Sequence, residues 1–305
     1  MIIGSGEHTY KIAEGWGKLP EGIQYGYTHG IVTDSQDRVY IFNTSKDSVI
    51  ILSEDGEFIS SWGEQFSEGA HGMLLHAEEG KEFLYLVDTA SSEVVKAALD
   101  GNIVLKMEAP SLPEVYTADK KYVPTDVAVA PNGDIYVADG YGQSWIHHYD
   151  KNGAYKRSWG GLGEGAGQLN GPHGISVDTR GDKPLIYVAD RSNHRIQVFT
   201  LEGEHVKFEY DELKFPCSFF QWGEKLYIPD LYSRITILDR NDKLIIHLGE
   251  SDHYKTEGWP NLPLTSLKPT EFSSPHGICA DSKGCIYVAE WISVGRITKL
   301  IPTSR

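Results

Sequence analysis

The feature that most restricts the possible folds of this chain is a sequence pattern that it repeats, most clearly within residues 124–199. Each copy has a short apolar run, a turn rich in Gly, Asn and Asp, an Ile-Tyr-Val-Ala run that ends in Asp, a second turn and another alternating run. Short alternating runs separated by turn residues are typical of consecutive antiparallel strands. Because each copy is one structural unit, the number of copies determines the architecture of the whole chain.

Six copies can be counted from a tyrosine that lies inside a β-rich quartet, and these residues are Tyr40, Tyr85, Tyr136, Tyr187, Tyr227 and Tyr287. An acidic or amide residue follows each quartet and is predicted to hydrogen-bond the backbone of the next turn. These residues are Asn43, Asp88, Asp139, Asp190, Asp230 and Glu290. A third strand is predicted in every copy, and a fourth strand in five copies, at residues 57–63, 102–108, 154–160, 204–210 and 243–249.

The missing fourth strand of the last copy is predicted at the other end of the chain, where residues 10–17 resemble residues 155–160. A terminal strand that completes the last sheet removes its exposed edges. We therefore predict an all-β fold, a six-bladed β-propeller with four antiparallel strands per blade and an N-terminal strand that closes the last blade. Residues 1–305 are predicted to form a single domain, with loops at residues 110–123 and 252–274.

The charge of the chain restricts the partners that it can bind. The chain contains 43 acidic and 28 basic residues, a net charge of -15, and it has no run of Lys or Arg. Such a protein repels phosphate backbones and anionic membrane surfaces at long range. We therefore expect a small-molecule substrate and expect neither nucleic acid nor a membrane as a partner, while the oligomeric state is left open.

The N-terminal residues and the cysteines bear on the compartment. The first residues contain neither a basic start nor a sustained apolar segment, so no signal peptide is predicted. Three cysteines, Cys217, Cys279 and Cys285, suit reduced thiols in a reducing compartment. A cytoplasmic location is expected from these two observations.

The residue that leads the first strand of each blade, called here the blade-leading residue, is a histidine in four of six blades. The six blade-leading residues are His29, His71, Thr125, His173, Cys217 and His276. First strands of a propeller line its central channel, so these side chains are predicted to lie near one mouth of the channel. His71, His173 and His276 lead alternate blades, and three imidazoles that face a channel are suited to a catalytic zinc-type site.

Other roles for these residues stay open. One histidine at a repeat position is more commonly a structural hydrogen-bonding group than a ligand, but packing does not require alternate placement. His29 is interpreted as a further ligand, as an acid or base beside the metal, or as a structural residue. Cys217 is interpreted as a buried small apolar residue or as a further contact to the metal.

The motifs that surround these positions resemble the NHL-repeat propellers and, among them, the peptidyl-α-hydroxyglycine α-amidating lyases. The NHL likeness extends over nearly the whole chain and is clearest at residues 187–199, whereas the lyase likeness is concentrated in blades two to six. The lyase motifs are found here as Ala70-His71-Gly72, residues 124–129, Asp139-Gly140-Tyr141, residues 190–196 and Pro275-His276.

The resemblance implies a role for several residues. It implies that His71, His173 and His276 hold zinc, that Tyr141 acts as a base or oxyanion partner, and that Arg191 stabilises negative charge. A phenol acts as a base near neutral pH only if a cation favours its ionised form. A metal acidifies a bound hydroxyl group, so that a neighbouring C–O or C–N bond can break.

Two positions depart from the family pattern. Gly26 stands where the family has a substrate-binding arginine, so a carboxylate clamp is expected to be incomplete. Gly277 stands where the family has an aspartate that helps to hold a structural calcium ion, so no calcium is expected there.

Three functions are compatible with these observations. The first is a metal-dependent lyase that acts on a small hydroxylated substrate bound over the three-histidine centre. The second is a metal-dependent hydrolase of the lactonase or esterase type, in which metal-bound water is the nucleophile. The third is a non-enzymatic NHL scaffold that binds a protein partner, with histidines that only fill the channel.

Overall fold

The computed structural model describes residues 1–209 and 212–303, and in these residues the chain forms six antiparallel β-sheets. Residue 210, the last residue of the fourth strand predicted at 204–210, lies outside the described residues, as do residues 211, 304 and 305. Each sheet is built from strands that follow one another in the chain, apart from the N-terminal strands that join the last sheet. This strand order confirms the all-β, six-bladed propeller with four antiparallel strands per blade.

The described residues contain 25 strands. The first twelve are β1 (Ile2–Ser5), β2 (His8–Ile12), β3 (Thr28–Thr33), β4 (Val39–Asn43), β5 (Val49–Leu52), β6 (Phe58–Trp62), β7 (Ala70–Glu78), β8 (Lys81–Asp88), β9 (Glu93–Ala98), β10 (Ile103–Met107), β11 (Asp126–Val129) and β12 (Ile135–Asp139). The others are β13 (Trp145–Tyr149), β14 (Tyr155–Gly160), β15 (Pro172–Asp178), β16 (Leu185–Asp190), β17 (Arg195–Phe199), β18 (His205–Glu209), β19 (Phe220–Trp222), β20 (Lys225–Asp230), β21 (Arg234–Leu238), β22 (Leu244–Leu248), β23 (Pro275–Ala280), β24 (Ile286–Glu290) and β25 (Arg296–Pro302).

The chain comprises two compact units. The central unit is Glu68–Ser218, and the terminal unit is Met1–Ser67 together with Phe219–Arg305. Among the described residues, the central unit holds the sheets β7 to β10, β11 to β14 and β15 to β18. The terminal unit holds the sheets β3 to β6, β19 to β22 and β23 to β25 with β1 and β2. The single domain at 1–305 stays a prediction.

Burial across each blade explains the sequence pattern. All five residues of β4, β12 and β24 are buried, so these second strands are apolar on both faces. The fourth strands β6 and β14 are largely exposed or half-buried, and their sequences are accordingly more polar. Within the central unit, one apolar core joins Val87 to Val137, and another joins Tyr136 to Val188. Burial of these facing blade surfaces is the main stabilising contribution.

The N-terminal strand closes the last blade, as predicted, but its bounds differ from the prediction. β2 ends at Ile12, which pairs with Leu300 of β25, whereas the sequence predicted a strand at residues 10–17. The backbone at Gly15 and Gly17 has positive φ angles of 71° and 76°, so the chain turns there and cannot continue as a strand. A further strand that was not predicted, β1, pairs with β2 and gives this sheet five strands.

The acidic or amide residue that follows each quartet ties the loops together. The predicted bond to the following turn is present at Asn43 and Asp88: Oδ1 of Asn43 accepts a hydrogen bond from the N–H of Ser45 at 2.9 Å, and Oδ1 of Asp88 accepts one from the N–H of Ala90 at 2.8 Å. The Oδ1 atom of Asn43 also accepts a hydrogen bond from the N–H of Gly26 at 2.8 Å. These side chains therefore also fix the segments that enter the blade-leading residues.

The two predicted loops contain no β-strand within the described residues. Two short 3-10 turns, His253–Lys255 and Leu264–Ser266, lie in the second loop.

Cys217, Cys279 and Cys285 are buried and form no disulfide among the described residues, as the sequence predicted. None of the helical turns in the described chain has the length and apolar character that crossing a membrane requires.

Candidate active site

Two of the predicted ligands, His71 and His173, lie together in the central unit. Each is the second residue of a first strand, in β7 and β15, and their exposed fractions are only 4% and 2%. The pairing of β7 with β8 and of β15 with β16 shifts register at these positions. Such a bulge redirects a side chain locally, and the ring centroids of the two histidines are 4.7 Å apart.

The backbone of the next blade orients each imidazole ring. Nδ1 of His71 lies 2.7 Å from the carbonyl oxygen of Thr125, and Nδ1 of His173 lies 2.8 Å from that of Cys217. A carbonyl oxygen only accepts hydrogen bonds, so Nδ1 carries the proton and Nε2 carries the lone pair in the neutral ring. This arrangement is typical of metal-binding histidines, in which the second nitrogen donates to a carbonyl group.

The glycine that follows each histidine is required by the same contact. A Cβ atom at Gly72 would lie 2.6 Å from the carbonyl oxygen of Thr125, and one at Gly174 would lie 2.3 Å from that of Cys217. No side chain fits there, because the carbonyl group that accepts the histidine hydrogen bond occupies the space. Gly72 and Gly174 thus allow this arrangement of His71 and His173.

Tyr141 connects the two histidines. Its hydroxyl oxygen lies 3.1 Å from Nε2 of His71 and 3.1 Å from Nε2 of His173. The phenol has one proton and can donate it to only one of the two nitrogens at a time. The lone pairs of the two Nε2 atoms and of the hydroxyl oxygen therefore converge on one point. The tyrosine as a whole is 47% exposed.

Arg191 is the cation next to this group. Its guanidinium carbon lies 5.6 Å from the ring centroid of Tyr141 and 4.9 Å from that of Phe215. The Nε atom of Arg191 is buried and has no hydrogen-bond partner among the described residues. Leaving a buried charged donor without a partner costs free energy, which an anionic ligand would offset.

The charge state of Tyr141 reflects two opposing effects. Burial of the hydroxyl end raises the pKa of Tyr141, and the nearby guanidinium of Arg191 lowers it only in part. The resting phenol is therefore neutral at pH 7. A role as a base requires further positive charge next to the hydroxyl group.

The terminal unit holds the other two histidines, His29 and His276, as a second pair. Their ring centroids are 4.7 Å apart, and Nδ1 of His276 lies 3.2 Å from the carbonyl oxygen of His29. Nδ1 of His29 instead lies 3.2 Å from the carbonyl oxygen of Tyr27, two residues earlier. Burial lowers the pKa of His29 to about 4, so its imidazole is neutral at pH 7.

The residues fit the zinc that the family resemblance implies. His71, His173 and His276 share one arrangement, in which Nδ1 contacts the carbonyl oxygen of the next blade-leading residue, whereas His29 does not follow it. Neutral imidazoles oriented in this way supply the nitrogen atoms that zinc prefers. The complete three-histidine zinc centre stays a prediction, because His276 belongs to the other unit.

Neighbouring atoms fill the space beside both of the positions that depart from the family pattern. A Cβ atom at Gly26 would lie 2.7 Å from Oγ1 of Thr44 and 2.8 Å from the backbone nitrogen of Ser45. A Cβ atom at Gly277 would lie 2.3 Å from the carbonyl oxygen of His29. Neither the arginine nor the aspartate of the family pattern fits here without movement of the backbone.

A further acidic residue, Asp126, lies beside this group and allows a test of stability against pH. Burial raises the pKa of Asp126 from 3.8 to about 7, although its carboxylate accepts a hydrogen bond from the N–H of Ile175 at 3.0 Å. Because the folded protein binds this proton more tightly than the unfolded chain, the contribution of Asp126 to stability is greatest below pH 4 and is lost as the pH rises through 7.

We expect Asp126→Asn to stabilise the metal-free protein at pH 8, by up to about 4 kcal/mol, and to change its stability little at pH 4. Urea unfolding of both proteins at several pH values measures this effect. The exposed Asp182→Asn variant is the control. Parallel stability curves for the wild type and Asp126→Asn would show that the carboxyl group has an ordinary pKa.

The comparisons with known proteins agree with this fold. The sequence-family model of the NHL repeat matches residues 122–149 and 169–199 of this chain. NHL repeat-containing protein 3 of Homo sapiens is 26% identical over 310 residues, which covers 96% of this chain and 84% of that protein. Peptidyl-alpha-hydroxyglycine alpha-amidating lyase 1 of Drosophila melanogaster is 27% identical over 282 residues, which covers 85% of this chain. The match spans only 50% of that lyase.

Among solved structures, a catalytically inactive virginiamycin B lyase from Staphylococcus aureus with quinupristin has a similar fold. The TM-score is 0.60 at 14% identity, and the match covers 96% of this chain and 99% of that chain. At this identity the likeness shows the fold alone. The chain therefore carries NHL repeats on a six-bladed propeller and resembles the amidating lyases, which confirms the resemblance drawn from its sequence. Its relatives include proteins named peptidyl-alpha-hydroxyglycine alpha-amidating lyases.

Proposed function

We propose that this protein is a metal-dependent lyase that acts on a small substrate with a hydroxyl group on a carbon next to nitrogen. The observation that carries the proposal is the position of the Tyr141 hydroxyl group, 3.1 Å from Nε2 of both His71 and His173. This phenol is the group that can exchange a proton at the point where the two imidazoles converge. The relatives named α-hydroxyglycine amidating lyases support this class of substrate.

The proposed reaction is an elimination that needs one proton carrier. Tyr141 in its ionised form takes the proton of the substrate hydroxyl group, and the electron pair of that O–H bond forms the second bond of a carbonyl group. The neighbouring C–N bond breaks, and its nitrogen receives the proton back from Tyr141. The products are a carboxamide and an aldehyde, so atoms and electrons balance without an oxidant or a reductant.

The proposed metal ligands are His71, His173 and, from the repeat, His276. A divalent ion held there would acidify the substrate hydroxyl group and would favour the ionised form of a nearby phenol. The carbonyl groups that contact Nδ1 keep each imidazole in the tautomer that presents Nε2. His29 is proposed as a neutral structural partner of His276, because its Nδ1 contact is local.

Arg191 is proposed to bind a carboxylate group of the substrate through its buried Nε. The space around position 26 does not admit a second arginine, so Arg191 is the single cation that is proposed to bind the carboxylate. The net charge of -15 supports a small-molecule substrate rather than a nucleic acid. A cytoplasmic location and the absence of a membrane partner stay predictions.

We expect Arg191→Gln to raise KM for a carboxylate-bearing substrate about tenfold, because a charged hydrogen bond is lost. The carboxamide analogue of the same substrate, which lacks the charge, should show no such change. Steady-state kinetics with both substrates measure the difference, with the exposed Arg157→Gln as a control variant. An equal loss for both substrates would assign Arg191 a structural role.

The proposed function is tested with N-benzoyl-α-hydroxyglycine in ¹⁸O-labelled water. A lyase releases benzamide and glyoxylate, and the benzamide carries no solvent oxygen. A hydrolase on the same centre would release benzoate that contains ¹⁸O. A zinc-loaded protein that turns over neither this substrate nor other hydroxylated amides would overturn the proposal and favour the interaction scaffold.

A further inference from the structure

A chain of hydrogen bonds in the central unit runs from the surface to the turn that carries Tyr141. Oδ2 of Asp139 accepts hydrogen bonds from the hydroxyl group of Tyr116 at 2.8 Å and from the N–H of Gln143 at 2.7 Å. Oδ1 of Asp139 accepts a hydrogen bond from the N–H of Val123 at 2.7 Å. One carboxylate thus joins both ends of the Tyr141 turn to the loop at residues 110–123.

The next members of the chain extend outward from Tyr116. Its hydroxyl oxygen lies 2.6 Å from Nε2 of His147, and Nδ1 of His147 lies 2.6 Å from Oγ of Ser158. The hydroxyl group of Tyr155 lies 2.9 Å from the same Ser158 oxygen. His147 has no exposed surface, whereas Tyr155 is 40% exposed. The chain therefore links a surface tyrosine to a buried carboxylate.

The chemistry of these groups sets the direction of every bond. The carboxylate of Asp139 only accepts, so Tyr116 donates its single proton to it. The oxygen of Tyr116 then accepts from Nε2 of His147, and Nδ1 of His147 accepts from Ser158. Tyr155 donates to Ser158 in turn. Burial lowers the pKa of His147 to about 3, which agrees with the neutral ring that this order requires. Bonds aligned in one direction strengthen one another.

We propose that Tyr116, carried by the loop at residues 110–123, is a positioning residue for Tyr141 and acts through Asp139. The carboxylate holds the backbone of Val123 before the blade and of Gln143 after Tyr141, so its orientation sets where the phenol lies. Without the hydroxyl group of Tyr116, one oxygen of Asp139 loses its side-chain donor. Displacement of a reacting group by about 1 Å reduces rates strongly, so loss of this support should lower turnover.

The loop offers a matched control. Tyr122 lies in the same loop, its ring centroid is 5.7 Å from that of Tyr116 and 5.6 Å from that of His147, and it is 8% exposed. Among the described residues, the hydrogen bonds to the carboxylate of Asp139 come from Tyr116, Val123 and Gln143, and none comes from Tyr122. Tyr122→Phe therefore removes a hydroxyl group from the same aromatic cluster and leaves the bonds of the carboxylate unchanged.

The kinetic test rests on the proposed function. We expect Tyr116→Phe to lower kcat about tenfold with KM unchanged, and Tyr122→Phe to change neither. In the Tyr141→Phe background, Tyr116→Phe should cause no further loss, because it acts through Tyr141. Independent, multiplying losses in the double variant, or an equal loss in Tyr122→Phe, would overturn the positioning role.

A second readout does not need turnover, so failure of the proposed function and failure of this inference are distinguishable. NMR spectra of protein with ¹³C-labelled tyrosine rings report the environment of Tyr141, whose resonance is assigned from its absence in Tyr141→Phe. We expect Tyr116→Phe to shift or broaden this resonance and Tyr122→Phe to leave it in place. An unchanged Tyr141 resonance in Tyr116→Phe would overturn the inference even if the enzyme is active.

Discussion

The variant Tyr141→Phe is expected to lose 100- to 1,000-fold in kcat while it keeps its fold and its metal. The substitution removes only the hydroxyl oxygen, which lies 3.1 Å from Nε2 of His71 and of His173. Proton transfer by a positioned side chain contributes about this factor to enzymatic rates. Because the tyrosine as a whole is 47% exposed, the substitution should change the stability of the protein little.

Steady-state kinetics with N-benzoyl-α-hydroxyglycine measure the loss, and thermal unfolding with zinc analysis shows that the variant is otherwise intact. Tyr254→Phe, which removes a hydroxyl group from a partly exposed tyrosine of the terminal unit, is the control. Turnover that is unchanged in Tyr141→Phe would remove this residue from the mechanism. A zinc content that falls together with kcat would instead make the phenol a metal ligand.

The second large effect concerns the metal. Purified protein without a polyhistidine tag is expected to contain about one zinc or similar divalent ion per chain, and His173→Ala is expected to lose it. Truncation of one of three imidazole ligands removes a large part of the binding free energy, so we expect affinity to fall at least 100-fold. His71→Ala should behave in the same way, and the repeat predicts the same loss for His276→Ala.

Elemental analysis after dialysis measures the metal, and the rise in Tm on addition of zinc gives a second readout. His194→Asn is a suitable control, because His194 is exposed and has a positive φ angle of 56° that asparagine tolerates. Zinc that is retained in His173→Ala would exclude this residue as a ligand. A wild-type protein that contains no metal and gains no stability from zinc would exclude the centre as a whole.

Most of the fold was predictable from local sequence patterns. Alternation within short runs, turn residues between them and a buried tyrosine in each second strand together predict the number and order of the strands. The errors occurred at strand ends, for example at residues 13–17, where Gly15 and Gly17 turn the chain. Such ends depend on φ angles that a glycine permits but does not require.

Part of the candidate site was also predictable. The repeat identified His71 and His173, and the structure brings them together in the central unit. The family resemblance identified Tyr141 and Arg191, which lie in contact with them or with each other. Local pattern did not reveal the contribution of Tyr116, because its partner Asp139 is 23 residues away and the loop that carries it has no periodic signal.

The order of residues along the chain was sufficient to determine the strand pattern, the six repeated units and the type of side chain that leads each blade. Those properties depend on spacing between neighbours, which a linear sequence contains. Which nitrogen of each histidine carries a proton, and which histidine departs from the common arrangement, depend on carbonyl groups supplied by distant residues such as Thr125 and Cys217. These groups approach only when the blades pack, because a bulge at each histidine and a glycine after it let the backbones come within hydrogen-bonding distance.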